Sequence, residues 1–323
     1  MENITNPHDF RLEPLIINLI LIHNLSFEPR NIRYEGAYRV QTYYVDGQFV
    51  PASEAVIPVD DLAIMRGFGV FDLLRTLNGK PLFLVEHIER LQASARRIGI
   101  ELPWTPQQLI DIVMQTLRRN SFEESNIRIV VTGGSSPDFI TPQGKPRLLV
   151  LITRAPELPQ WWYTDGVKII TFFSQRSIPG AKSIDYVRAT IALKEARDQN
   201  AIEAVYVDHN GYAREGTTSN LFAFYGDTLV TPGSGILSGI TRKAVLELAR
   251  KMFRVDLRDL RLSDLLTADE VFITGTNKMI VPVVRIDDTT IDHGRPGKHT
   301  QKLMNALKER IERYYQGQKI ELS

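Results

Sequence analysis

Between the Pro179-Gly180 turn and Leu221, the sequence sets one lysine and one glutamate on opposite sides of a short helix–strand–hairpin run. Lys182 opens the stretch, a helical run follows over 185–197, and Ala204 to Val207 reads as a strand. The Asn210-Gly211 turn then reverses the chain and returns Glu215 beside Gly-Thr-Thr-Ser-Asn. Such an alternation of strand, helix and hairpin restricts this part of the chain to a mixed α and β layout.

The rest of the chain reads the same way. Tyr43 to Val50 is a hairpin about Asp46-Gly47, and Leu73 to Leu77 with Pro81 to Val85 forms a second about Asn78-Gly79. Ile88, Leu91, Ala95 and Ile98 recur at helical spacing before Gly99, and Thr105-Pro106 starts another helix with Thr as N-cap. Asn126 to Val131, Arg147 to Thr153 and Val167 to Phe173 are strands. Leu221 to Phe224 pairs with Thr228 to Val230, and Gly239 leads into a helix through Val245, Leu248, Ala249 and Met252. Val271 to Thr274 ends in Gly275-Thr276-Asn277, and a hairpin at Asp287-Asp288 precedes a helix from Lys298.

The predicted class is α+β in two domains. A small α/β domain spans 43–155, a linker 156–162, and a larger domain 163–323. Residues 1–42 form an extension. Its apolar run Leu15 to Leu25 is too short to cross a bilayer and lacks the flanks of a signal peptide, so a docked helix and a poorly ordered segment both remain open.

A formal net charge of +1 on 323 residues, with both signs interspersed, argues against nucleic acid as a partner. With no cysteine, disulfides, thiolate metal sites and a cysteine nucleophile are excluded, and a reducing compartment, the cytoplasm, is expected. The six histidines show no metal-binding spacing, and no metal is expected. No nucleophile elbow or Walker loop occurs, and the glycines around Phe68 lack the third position of a dinucleotide fingerprint.

Two segments suit an anion. Gly239-Ile240-Thr241 precedes a helix, whose first amides and dipole favour a phosphate, and Gly275-Thr276 ends a strand with a hydroxyl and free amides. Arg90 could add a bidentate partner. A lysine and a carboxylate placed as Lys182 and Glu215 are suit a covalently held aldehyde cofactor, with the carboxylate on a pyridine nitrogen. The residues alone do not raise Lys182 above a surface lysine or Glu215 above a turn glutamate.

A set of ordered segments resembles the class IV (fold type IV) pyridoxal-phosphate aminotransferases, the group of branched-chain and D-amino acid aminotransferases and aminodeoxychorismate lyase. They are RGFGVFDLLRT at Arg66–Thr76, EHIERLQASA at Glu86–Ala95, KSIDY at Lys182–Tyr186, REGTTSNLF at Arg214–Phe222, LSGITR at Leu237–Arg242 and ADEVFITGTNKMIVPV at Ala268–Val283. The resemblance implies a larger domain with a β-barrel-like sheet core, pyridoxal 5'-phosphate as cofactor, and an internal aldimine on Lys182. It implies Glu215 on the pyridine nitrogen, Arg90, Ile240, Thr241, Gly275 and Thr276 at the phosphate, Leu237 on the ring, Tyr186 near the ring hydroxyl, and Asn220 closing the Glu215 turn. It also implies a homodimer or higher homo-oligomer.

For the substrate, Phe68 and Phe71 would give an apolar wall, and Arg75 and Arg128 stand where a carboxylate could be held or a salt bridge made behind the pocket. Asn277 and Lys278 replace small residues and could narrow or charge the site. The loop Ser135 to Ile140 lacks the Arg-x-His pair of D-amino acid aminotransferases. Transfer from an apolar, branched-chain-like amino acid to a 2-oxo acid such as 2-oxoglutarate is therefore expected. D-amino acid transamination and an aminodeoxychorismate lyase-type elimination are the alternatives.

Overall fold

The computed structural model describes residues 41–317, so the expectations for Leu15 to Leu25 lie outside the described residues. The first sheet has six strands in the order Gln48–Pro51, Thr42–Val45, Arg147–Arg154, Ser125–Thr132, Gly69–Leu77 and Lys80–Pro81. Each neighbouring pair is antiparallel. Asp46 and Gly47 both take positive φ (49° and 99°), the geometry a two-residue hairpin turn needs. Strand Gly69–Leu77 alternates, with Val70, Asp72, Leu74 and Thr76 buried.

Helices Leu84–Arg97 and Pro106–Arg118 cover one face of this sheet and bury Ile88, Leu91, Ala95, Leu109 and Val113 against Leu74, Ile127, Ile129 and Val150. Thr105 caps the second helix as expected, in a reciprocal box with Gln108. The expected strand Pro81 to Val85 is a correction. Only Lys80–Pro81 pairs, Phe83 turns into the left-handed region (φ 54°), and the helix already begins at Leu84.

A second sheet of ten strands runs from Arg254–Leu257 through Thr228–Thr231, Asn220–Tyr225, Glu270–Gly275, Met279–Ile286, Val167–Phe173, Ala204–Val207 and Tyr212–Gly216 to Leu260–Arg261, with Thr289–Thr290 added on Met279–Ile286. A further pairing, Asn220 with Glu215, joins Tyr212–Gly216 back to Asn220–Tyr225 and closes a ring within it. The barrel-like core is thus present, and its seam falls on Glu215. Phe222 stacks on Phe272 with centroids 4.7 Å apart, in a cluster shared with helices Ile240–Ala249 and Lys298–Gly317. The first of these helices ends at Ala249, a turn before the expected Met252.

Strands Val167–Phe173 and Ala204–Val207 are parallel, so the chain between them must cross over, and helix Val187–Asp198 makes that crossing. The loop that leaves the carboxyl end of Val167–Phe173 carries Lys182. The expected helix start at Asp185 is two residues early, because the stretch 182–184 is tied to strand Gly69–Leu77. Phe71 N–H donates to the Lys182 carbonyl (2.9 Å), Ile184 N–H donates to the Gly69 carbonyl (3.0 Å), and Val70 bridges to Ser183. This approach needs Gly69, where a Cβ would lie 2.6 Å from the Val131 carbonyl oxygen and 2.9 Å from Ile184.

Candidate active site

The elements that converge on one cavity include the loop with Lys182, the turn that follows Glu215, the start of helix Ile240–Ala249, the turn at Gly275 and the helix that carries Arg90. Of the residues expected around a cofactor, Arg90, Lys182, Glu215, Asn220, Leu237, Ile240, Thr241, Gly275 and Thr276 all line it. They come from five separated parts of the chain, so the fold and not sequence proximity brings them together. Tyr186 stands at the side, its ring 5.3 Å from that of Phe71.

Burial lowers the pKa of the Lys182 ammonium, opposed by Tyr186 and reinforced by Arg90. The amine is therefore shifted toward the neutral, nucleophilic form. Tyr186 is raised by burial, but Lys182 and Arg176 outweigh this and pull its pKa down. The Phe71 ring centroid lies 4.7 Å from Lys182 Nζ and closes the site on that side.

Glu215 is buried and fully engaged. Its Oε1 accepts from Arg176 Nε (2.7 Å), and its Oε2 accepts from Leu237 N–H (3.1 Å) and Asn220 Nδ2 (3.5 Å). Arg176 also donates to the Thr217 carbonyl (3.1 Å) and lies 5.7 Å from the Tyr186 ring. Sequence reasoning missed Arg176: it sits in an irregular loop, its partner is 39 residues away, and no spacing marks it.

The phosphate-like end has the expected chemistry. Gly239 caps helix Ile240–Ala249 without any side-chain hydrogen bond to the first turn, so the leading amides are left for another acceptor. A Cβ at Gly239 would lie 2.0 Å from Asn220 Oδ1, which explains why that corner carries a glycine. Thr274 lines the cavity with a buried hydroxyl that has no hydrogen-bond partner among the described residues. An orphan hydroxyl, an uncapped helix start and Arg90 form a donor set that fits a phosphate, and the lysine across the cavity fits an aldehyde.

The expected substrate residues are less concentrated. Phe71 and Arg75 share the half-buried face of their strand, with the Arg128 guanidinium 5.9 Å from the Phe71 ring. Arg75, however, lines a separate cavity with Tyr163, Met279 and Met304. Phe68 packs over Gly133, and Asn277 buries its side-chain oxygen without a partner among the described residues. Lys278 turns to the buried Glu203, donating to its Oε2 (2.7 Å) and to Thr218 Oγ1 (2.7 Å). Burial would raise the pKa of Glu203, but Lys278 and the hydroxyls of Thr217 and Thr218 hold it down, at about 2.

This ion pair ties the turn after Glu215 to the turn after Gly275. Lys278→Met is expected to destabilise the protein by about 3 kcal/mol at pH 7, because a buried carboxylate loses its partner. Glu203 titrates lower in the folded state than in the unfolded chain, so its stabilising effect is complete above about pH 4.5 and is lost as pH falls toward about 2. Urea unfolding should therefore show the gap between wild type and variant at pH 7 and a smaller gap at pH 3. An equal gap at both would contradict the assignment.

A cavity that offers one amine to an aldehyde and a separate donor cluster to a phosphate fits pyridoxal phosphate. The family model for amino-transferase class IV matches residues 69–286. A protein of Methanocaldococcus jannaschii, provisionally named a branched-chain-amino-acid aminotransferase, is 37% identical over 82% of this chain and 95% of its own length. A D-alanine aminotransferase of Staphylococcus epidermidis is 29% identical over 83% of this chain and 97% of its own. Among solved structures, a branched-chain amino acid aminotransferase with pyridoxamine 5'-phosphate superposes with a TM-score of 0.78 at 28% identity, covering 84% of this chain and 94% of that one. The branched-chain aminotransferase of Thermoproteus uzoniensis with norvaline superposes with a TM-score of 0.76 at 27% identity, over the same shares of the two chains. The chain belongs to the class IV aminotransferase family and is a fold type IV, pyridoxal-phosphate-dependent aminotransferase.

Proposed function

We propose that the enzyme moves the amino group of an apolar, branched-chain-like amino acid to a 2-oxo acid such as 2-oxoglutarate. The observation that carries this reading is the Phe71 ring beside the Lys182 amine, an apolar wall where a substrate side chain would lie. Arg128 behind that ring supplies a cation for a carboxylate. The resemblance to enzymes named for branched-chain amino acids supports the same substrate class. Relatives named D-alanine aminotransferase support a second reading, but the loop Ser135 to Ile140 offers neither an arginine nor a histidine to hold a carboxylate.

Bound pyridoxal phosphate supplies an aldehyde that condenses with amines and a pyridine ring that draws electrons from Cα. Lys182 would hold the aldehyde, and its amine, shifted toward the neutral form by burial, would serve as the general base that takes and returns the substrate Cα proton. Glu215, fixed by Arg176, would supply the carboxylate that keeps a proton on the ring nitrogen. Arg90, the amides at Ile240 and Thr241, and Thr276 would hold the phosphate, with Leu237 and Tyr186 left for the ring.

Among the described residues, no helix is long and apolar enough to cross a membrane. We place the enzyme in the cytoplasm, in keeping with a chain of no cysteines, and as a homodimer. Large apolar side chains at Phe173 and Val187 are exposed and open to a partner copy.

A panel of L- and D-amino acids, each followed by the change in cofactor absorbance over one half-reaction, tests the substrate. L-leucine, L-isoleucine and L-valine are expected to react fastest. Turnover of D-alanine with none of L-leucine would overturn the reading in favour of the D-amino acid enzyme.

A further inference from the structure

Arg90 does not stand alone behind the cavity. Asp72, fully buried on strand Gly69–Leu77, accepts from Arg90 Nε (2.9 Å, on Oδ2) and from Arg90 Nη2 (2.7 Å, on Oδ1). The same Oδ1 lies 2.6 Å from Nδ1 of the buried His87 and accepts from the Leu73 amide (2.8 Å). His87 and Arg90 are three residues apart on helix Leu84–Arg97, so both reach the sheet from one face.

Burial would raise the pKa of the Asp72 carboxyl, yet Arg90 first and His87 next hold it well below the usual carboxylate range. Burial also pushes the His87 imidazole down, so it is neutral and donates its Nδ1 hydrogen to Asp72. Asp72 itself does not line the cavity. A fork-to-fork contact uses two of the five N–H groups of a guanidinium and fixes its plane. The remaining hydrogens of Arg90 are left for the cavity it shares with Lys182 and Thr241.

We propose that Asp72, steadied by His87, is a positioning residue that sets the guanidinium plane of Arg90 and thereby the preference of the site for a phosphorylated cofactor. The proposal rests on Arg90 being the phosphate arginine. It assigns work to a buried carboxylate that the transfer chemistry does not use. A neutral amide at position 72 would keep the volume but lose the charge and one acceptor, leaving Arg90 free to rotate.

The test is the ratio of pyridoxal phosphate to pyridoxal affinity, measured by absorbance titration of the full chain freed of cofactor. Pyridoxal has the same ring and aldehyde and no phosphate, so a general loss of fold or of Lys182 reactivity weakens both ligands and leaves the ratio unchanged. Asp72→Asn is expected to lower the ratio about tenfold, the size of one charge-assisted contact. Arg90→Lys, whose ammonium cannot make the fork, should lower it by a similar or larger factor, and adding Asp72→Asn to Arg90→Lys should change it by less than about twofold.

Should Asp72→Asn not fold, His87→Leu is read the same way, with an expected fall of about threefold, because Arg90 keeps both of its own bonds to Asp72. A ratio unchanged in the aspartate or histidine variant while Arg90→Lys lowers it would overturn the positioning role alone. If Arg90→Lys leaves the ratio at its wild-type value, the phosphate assignment of Arg90 is itself wrong.

Discussion

Lys182→Ala is expected to lower transamination by at least about 10^4-fold while the protein keeps its melting temperature within a few degrees. Both halves of that result follow from where the residue sits. The loop is held by backbone bonds from Phe71 and Ile184 and by the Ser94 hydroxyl, which accepts from the Lys182 amide (3.1 Å), none of which involves the lysine side chain. The side chain has no ion-pair partner among the described residues, so its removal costs the fold little. Chemistry, by contrast, would lose both the amine proposed to hold the aldehyde and the base proposed to move the Cα proton. Rates of a half-reaction by stopped-flow and a thermal melt of the same sample check the two halves together. A variant that retains more than a few per cent of wild-type turnover would remove Lys182 from the mechanism.

Glu215→Gln comes next in size, with an expected fall in kcat of about 100-fold. Glutamine keeps the acceptor toward Leu237 and most of the shape, but not the charge. Without that charge the proposed anion for the ring nitrogen is lost, and Arg176 is left without its carboxylate partner. Both changes make the ring a poorer electron sink at the moment the Cα proton leaves. Cofactor affinity should move far less than kcat, by about threefold, since the phosphate end is untouched. A large loss of affinity with kcat preserved would make Glu215 a structural turn residue.

Much of this site is legible because it is written in short local signals. Gly239 with Ile240-Thr241 reads as an open helix start, and Gly275-Thr276 as a turn with free amides, before any contact is known. Lys182 and Glu215 rise above ordinary surface residues only through the resemblance of the segments around them. Arg176 carries no such signal, and Asp72, although it lies inside the resembling segment Arg66–Thr76, is given no role by it. Each gains meaning only from a partner that the fold delivers from a distant position.

The fold divides along the same line. Thr105-Pro106 and Asp46-Gly47 act locally, and their helix and hairpin stand where expected. Strand Arg254–Leu257 leaves no comparable mark, since none of its four residues is buried and it is held in parallel by Thr228–Thr231. The run Pro81 to Val85 looks like a strand by composition, yet it enters a helix because Leu82 and Phe83 are needed in the core beside Lys298–Gly317. Tertiary burial overrides local propensity there. Closure of the barrel at Asn220 and Glu215 depends on one strand pairing and leaves no pattern in the sequence.

On the proposed function, the cavity between Lys182, Glu215 and Arg90 holds the cofactor. Borohydride reduction of the enzyme loaded with pyridoxal phosphate, followed by peptide mass mapping, reads it directly. A single labelled peptide is expected, the one that contains Lys182. Label on another lysine, with Lys182 unmodified, would contradict it.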